Sequence, residues 1–335
     1  MKALISIAND IIKKTFFTED NIALAESLGD ISFCGGRDEV SREELKALLA
    51  DCDVYVTCWE SPALDGEILD AAPKLKLLTH LGSTVAPVAA PELWERGIKV
   101  ISGFDYFSES TAEGAIAYIL AALRKIPFFT DRLKRGKIWS TPEDYTDGLI
   151  RKTVGIVSYG GVGKHITKNL HPFNVNIKVY DIVDIPAEDK EKYGIEQCGI
   201  EELFSTCDVI SVHTPYNDKT FHLIDDRLLS LIKPGALFVN TARGPIVDQA
   251  ALTRHLERGD FNAALDVYEK EPIDMDDPLL DLDNVLMLPH QGGVTTNLRR
   301  ILTKDLLIES RDFVDFGRAL KNEVAASYAK SMSKF

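Results

Sequence analysis

No apolar run in this sequence reaches the length needed to cross a bilayer. The opening Met1-Lys2-Ala3-Leu4-Ile5-Ser6-Ile7-Ala8 turns polar too soon for a secretory signal and reads as a first strand. These absences argue against a membrane or exported protein, and a cytoplasmic one is expected. Cysteine is scarce. Cys34, Cys52, Cys58, Cys198 and Cys207 are odd in number and lack the close paired spacing of a zinc site. Reduced, structural thiols and no metal are therefore expected. Positive charge is also short, with 38 Lys and Arg against 52 Asp and Glu, a net charge of −14. That balance disfavours nucleic acid and anionic membranes as partners. A small anionic substrate stays compatible, because a local arginine can dominate one site in an acidic protein. Low-complexity tracts and repeat arrays are missing as well.

What is present is an α/β pattern long enough, at 335 residues, for about two domains. Its clearest stretch runs from Thr153 to Asp181. Thr153-Val154-Gly155-Ile156-Val157 is a short β-branched run, broken by Ser158-Tyr159-Gly160-Gly161-Val162-Gly163 before a helix-like segment from Lys164 to Leu170. In a dinucleotide fingerprint, glycines let the backbone turn tightly and approach a pyrophosphate at the N-terminus of the next helix. Gly160 and Gly163 fill the second and third glycine positions, while Ser158 stands at the first, so the turn must tolerate a Cβ. The glycines alone leave an ordinary glycine-rich turn equally open. A following strand, Val175 to Tyr180, ends in Asp181, at the spacing where a carboxylate would accept hydrogen bonds from an adenosine ribose. Ile182, Val183 and Asp184 offer no cation for a 2′-phosphate, so NAD is expected rather than NADP.

Before this stretch, strands are expected at Leu4–Ile7, Asp53–Cys58, Leu75–His80 and Val100–Ile101, with helices at Asn21–Leu28 and Ser41–Ala50, the second opening on a capping-box pattern. The loop Leu81-Gly82-Ser83-Thr84-Val85-Ala86-Pro87 follows a strand directly, where open α/β sheets place ligands, and its amides suit a carboxylate. A plain connector is the competing reading. Thr111 to Ile126 is apolar on nearly every face after its first turn, which asks for burial against another domain or subunit, and a homodimer is expected. Gly136 to Gly148 reads as a loop. Beyond Asp181, expected strands end in His213-Thr214-Pro215, in Asn240-Thr241-Ala242-Arg243-Gly244, in Asp266 and in Pro289-His290-Gln291-Gly292-Gly293. In a parallel sheet those ends share one edge. The segment Leu298 to Tyr328 reads as two helices that pack back on the first domain, which would make that domain discontinuous.

These ordered motifs, with Lys233-Pro234-Gly235 and Ala264-Leu265-Asp266-Val267-Tyr268 through Glu271-Pro272, resemble the D-isomer-specific 2-hydroxyacid dehydrogenases. The resemblance is strongest from about Thr153 to Gly293. It implies two Rossmann-like or flavodoxin-like parallel-sheet domains, an NAD-binding domain at residues 106–295 inserted into a substrate domain made of 1–105 and 296–335. It also implies NAD-dependent hydride transfer at C2 of a D-2-hydroxy acid or 2-keto acid, with the protein expected to run as a 2-keto acid reductase. Arg243 would orient the carboxylate and polarise the ketone, His290 would be the acid/base, and Glu271 would tune His290.

By the same match Ser83, Gly160, Gly161, Val162, Gly163, Asp181, Thr214, Thr241, Ala242, Arg243, Asp266, His290 and Gly292 would touch NAD, with Asp266 on its carboxamide. Gly82, Ser83, Thr84 and Arg243 would hold the substrate. His80 and His213 are expected to be structural or substrate-tuning. Closure about 103–110 and 293–297 would bring Arg243 and His290 to the Gly82 loop. This chain departs from relatives at Thr84-Val85-Ala86 and at His80, where an arginine or serine is common, so the particular acid stays open. Glutamate at 271 argues against formate dehydrogenase activity, and no regulatory domain is expected after the last helices. The alternative is an NAD(H)-responsive binding module of the corepressor type, against which stands the want of a basic patch or long disordered tail.

Overall fold

A computed structural model of the chain describes residues 1–142, 144–330 and 332. The chain forms two compact units, Met1–Phe107 with Val294–Phe335, and Ser108–Gly293. No helix among the described residues is long and apolar enough to cross a membrane.

The first unit is built on five parallel strands, β1 (Lys2–Ser6), β2 (Asp30–Cys34), β3 (Val54–Thr57), β4 (Leu77–His80) and β5 (Lys99–Ser102), in the order β2-β1-β3-β4-β5. That is the flavodoxin-like order, with its reversal between β1 and β3. Its inner strands are buried on both faces, so alternate residues feed two cores. Leu4, Tyr55 and Leu78 enter one core; Ala3, Ile5, Val54, Val56 and Leu77 enter the other. Near-continuous apolar strands are what a sheet covered on both sides requires. The helix Thr296–Phe316 covers one face with Leu302, Leu306 and Leu307, and Ser310 Oγ meets Thr79 Oγ1 at 2.7 Å. The C-terminal segment thus completes a sheet begun at residue 2.

The second unit carries seven parallel strands, β6 (Thr153–Val157), β7 (Asn176–Tyr180), β8 (Ile195–Gln197), β9 (Val209–Val212), β10 (Leu237–Asn240), β11 (Asn262–Leu265) and β12 (Val285–Met287). Their order is β12-β11-β10-β9-β6-β7-β8. Read from β8, this is the doubly wound dinucleotide-binding order with one extra strand, and it reverses between β6 and β9. Two cores flank it, one around Phe204, Phe238 and Phe261, the other around Val154, Ile156, Val179 and Val209.

Several elements differ from the sequence reading. Helix Asp10–Thr15, capped by Asn9, and strands β2 and β8 were not expected. β2 is an edge strand with exposed Asp30 and Phe33, so it lacks the apolar signal of its neighbours. Thr111–Ile126 belongs to a longer helix, Phe104–Leu123, and Lys125 in the left-handed region separates it from a further helix, Ile126–Lys134, with Pro127 in its first turn. The long helix is not buried all round. Ala112, Ala115 and Ile119 are covered, whereas Ala117 is exposed and Ile116, Leu120 and Leu123 are half-covered. The described residues of 136–148 form neither helix nor strand. After Gly317 the second expected helix is only Ala326–Ala329.

Candidate functional site

In the second unit the expected site residues follow strand ends along one edge of the sheet. His290 comes after β12, Asp266 after β11, Thr241 to Arg243 after β10, His213 and Thr214 after β9, Ser158 to Gly163 after β6, and Asp181 after β7. The β6–β9 reversal lies within this row, at the place where doubly wound sheets take their ligands.

The turn after β6 leads into the helix Gly161–Leu170 with Gly160 as N-cap. This first turn holds no acidic residue, and no side chain caps it among the described residues, so its amide donors are open to an anion. Asp181 lies beside the turn. Its Oδ2 accepts from Tyr159 N at 2.6 Å and Ser158 Oγ at 3.2 Å, and its Oδ1 from Val183 N at 2.9 Å. At the next strand ends two buried polar atoms, His213 Nδ1 and Thr241 Oγ1, find no partner among the described residues. Buried polar groups without partners are uncommon, and both of these follow strand ends on the edge that carries the glycine turn. The donor-rich helix start, the carboxylate at Asp181 and these two orphaned atoms fit a dinucleotide. His213 Nε2 is engaged by Ser211 Oγ at 2.9 Å, and burial pulls its pKa down to about 3, so the ring is neutral.

Arg243 is held by its own loop. Asn240 Oδ1 accepts from Ala242 N at 3.0 Å, its Nδ2 donates to Arg243 O at 3.2 Å, and Arg243 Nη1 donates to Ala242 O at 2.7 Å. Gly244 then passes so close under Tyr268 that a Cβ would lie 1.9 Å from its carbonyl carbon and oxygen. Only glycine fits there. Burial lowers the Arg243 pKa while the nearby Glu271 carboxylate opposes the shift. The guanidinium remains charged because it starts so far above working pH.

Glu271 reaches two places at once. Its Oε1 accepts from Tyr268 N at 3.0 Å, and its Oε2 meets His290 Nδ1 at 2.7 Å. His290 has a positive φ of 55°, a conformation fixed by its N–H donating to Asp266 O at 2.9 Å. Asp266 itself accepts from Gln291 N at 2.7 Å and Gly292 N at 2.8 Å, and burial raises its pKa. This carboxylate therefore holds the His290 loop, work the sequence reading did not assign to it. The Tyr118 ring and the Asp266 carboxylate both crowd Gly292, and burial raises the tyrosine to about 12. Tyr118 and Asn240 were missed. Their signals were a phenol inside an apolar helix, which needs a partner, and an asparagine at a strand end, which shapes turns.

In the first unit Gly82, Ser83 and Thr84 follow β4. His80, at the end of β4, is buried beneath them, with Nδ1 2.9 Å from Thr57 Oγ1 and Nε2 directed at Gly82. Desolvation pulls its pKa down to about 4, so it brings no charge to the loop. Gly82, Ser83 and Thr84 thus belong to a different unit from the other candidates.

A reversing parallel sheet with an open glycine turn, an acidic residue after its second strand and a carboxylate-held histidine defines a dinucleotide-binding α/β protein. Residues 116–292 match the family model described as D-isomer specific 2-hydroxyacid dehydrogenase, NAD binding domain. The chain is 36% identical over 284 residues to the D-3-phosphoglycerate dehydrogenase of Methanocaldococcus jannaschii, across 84% of this chain but 53% of that protein. It thus spans about half that relative's length. It is 34% identical over 264 residues to the glyoxylate reductase of Korarchaeum cryptofilum, covering 77% of this chain and 79% of that one. The crystal structure of a glyoxylate reductase from Paecilomyes thermophila superposes with a TM-score of 0.79 at 26% identity, covering 97% of this chain and 99% of that one. The chain belongs to the D-isomer specific 2-hydroxyacid dehydrogenase family, and its cofactor is NAD.

Proposed function

We propose that this protein transfers hydride between nicotinamide and C2 of a D-2-hydroxy acid or its 2-keto acid, running as a 2-keto acid reductase. The observation that carries this reading is the 2.7 Å contact between His290 Nδ1 and Glu271 Oε2. An ionised carboxylate only accepts hydrogen bonds, so Nδ1 carries the hydrogen and Nε2 is left to exchange a proton. In oxidation Nε2 takes the hydroxyl proton as the C2–H bond gives up hydride. In reduction Nε2–H protonates the ketone oxygen. Bound NAD supplies the hydride acceptor, and its reduced form the donor.

Arg243 is assigned to the substrate carboxylate and ketone, since a guanidinium makes paired, permanently charged contacts. Gly82, Ser83 and Thr84 are assigned to the same carboxylate through their amides. With His80 neutral, that loop adds no cation for a second acidic group, which favours small acids bearing one carboxylate. For the cofactor we assign Gly160, Gly161, Val162 and Gly163 to the pyrophosphate, Asp181 to the adenosine ribose, and Ser83, Thr214, Thr241, Ala242, Asp266 and Gly292 to the remaining contacts. The apolar side chains exposed between Ile126 and Ile150 support a homodimer.

The test is NADH oxidation by the purified protein with glyoxylate, hydroxypyruvate, pyruvate, bulkier branched acids and a phosphorylated 2-keto acid. Turnover on the small single-carboxylate acids is expected. NADH binding without turnover on any of them would overturn the reading in favour of a binding module.

A further inference from the structure

Ser158 occupies the position in the dinucleotide turn where backbone geometry most favours glycine. Its φ is 83°, in the left-handed region that L side chains seldom adopt. The conformation is imposed from both sides. Ser158 N donates to Tyr180 O at 2.7 Å, continuing the β6–β7 pairing, while Ser158 O lies so close to Gly163 that a Cβ there would approach within 2.2 Å. A glycine at 158 would meet the same demands without strain, so the serine needs another reason.

That reason is its hydroxyl. Ser158 Oγ donates to Asp181 Oδ2, which also accepts from Tyr159 N, while Oδ1 accepts from Val183 N. A carboxylate accepts about four hydrogen bonds. Three are filled by the protein, two of them on Oδ2, and the open capacity is on Oδ1. The loop behind it is braced too, since Gln197 Nε2 donates to Val183 O at 3.0 Å and its Oε1 accepts from Ile185 N at 3.0 Å.

We infer that Ser158 is a positioning residue for cofactor selectivity: its hydroxyl saturates Oδ2 and fixes Asp181 with Oδ1 presented to a ribose hydroxyl, which strengthens discrimination against a 2′-phosphate. The inference rests on the assignment of Asp181 to the adenosine ribose. A fixed carboxylate accepts a ribose hydroxyl with no ordering cost and cannot turn aside from a phosphate, whereas a mobile one can.

The experiment measures dissociation constants for NADH and NADPH by fluorescence titration, together with thermal melting, for the wild type and for Ser158→Gly, Ser158→Ala and Asp181→Ala. Both serine variants lack the hydroxyl, but glycine relieves the backbone strain and alanine keeps it. Ser158→Gly is expected to melt above Ser158→Ala by roughly 2–5 °C. Both are expected to lose roughly 5- to 10-fold of the NADH-over-NADPH preference, within the net contribution of one ordinary hydrogen bond. A preference that follows melting temperature, or a wild-type preference in both serine variants while Asp181→Ala abolishes it, overturns the role of Ser158 and leaves the ribose assignment standing. An unchanged preference in Asp181→Ala overturns the ribose assignment and this inference with it.

Discussion

Glu271 is the residue on which the proposed chemistry turns, because one carboxylate bonds both the backbone of Tyr268 and the ring of His290. Glu271→Gln keeps the shape but exchanges an acceptor for an amide, so it removes the charge that supports an imidazolium and frees the choice of tautomer. A fall of about 10²-fold in kcat is expected, the usual scale of a mispositioned acid/base, with the NADH dissociation constant little changed. Arg243→Ala should cost more, roughly 10³-fold in kcat/KM, and Arg243→Lys should recover little of it, because a point charge cannot make paired contacts. Steady-state kinetics alongside cofactor titration separates the two effects. A lysine variant with near wild-type turnover would remove the carboxylate role from Arg243.

At the scale of an element, β4 shows how burial sets a protonation state. His80 ends the strand inside the first unit, and its pKa of about 4 lies below the roughly 6.5 of an unfolded histidine. With the folded value depressed, stability is full above the unfolded pKa and is lost as pH falls from about 6.5 toward 4, because the unfolded chain takes up a proton that the folded one refuses. Between pH 7 and pH 5 the expected loss from this residue is about 2 kcal/mol. His80→Asn should be less stable at pH 7, having lost the ring's packing, yet decline less on acidification. Urea unfolding at the two pH values measures both, and equal declines would show that His80 is not the cause. The strand itself was readable in the sequence because Leu77 and Leu78 supply both cores; what lay under the following loop was not. β2 and β8 escaped for the converse reason, being outer strands whose short and partly exposed runs carry little apolar pattern. The strand-end motifs were plain in the sequence, since polar residues after apolar runs have one geometric meaning in a parallel sheet. The Tyr118 contact was hidden because it joins a helix to a loop more than a hundred residues away.

For the whole molecule, the sequence suggested a first domain resumed after the second, and the chain passes between its two units after Phe107 and again after Gly293. What a single chain leaves unfinished is the apolar surface on the second unit. Ile126, Phe128, Leu133, Ile138, Trp139 and Ile150 are all substantially exposed, beside a helix that is apolar through Leu123 but only half-covered there. Single exposed apolar side chains are ordinary, but this number within 25 residues of chain suits a covered face. A second copy is the partner expected. Sedimentation should give about twice the 37.2 kDa of one chain. Ile126→Asp combined with Phe128→Asp should shift it toward the single-chain mass while leaving the circular dichroism unchanged, because both positions are solvent-facing in the isolated chain. A wild type that sediments as one chain at micromolar concentrations would sink the dimer, and a variant that stays paired would move the interface elsewhere.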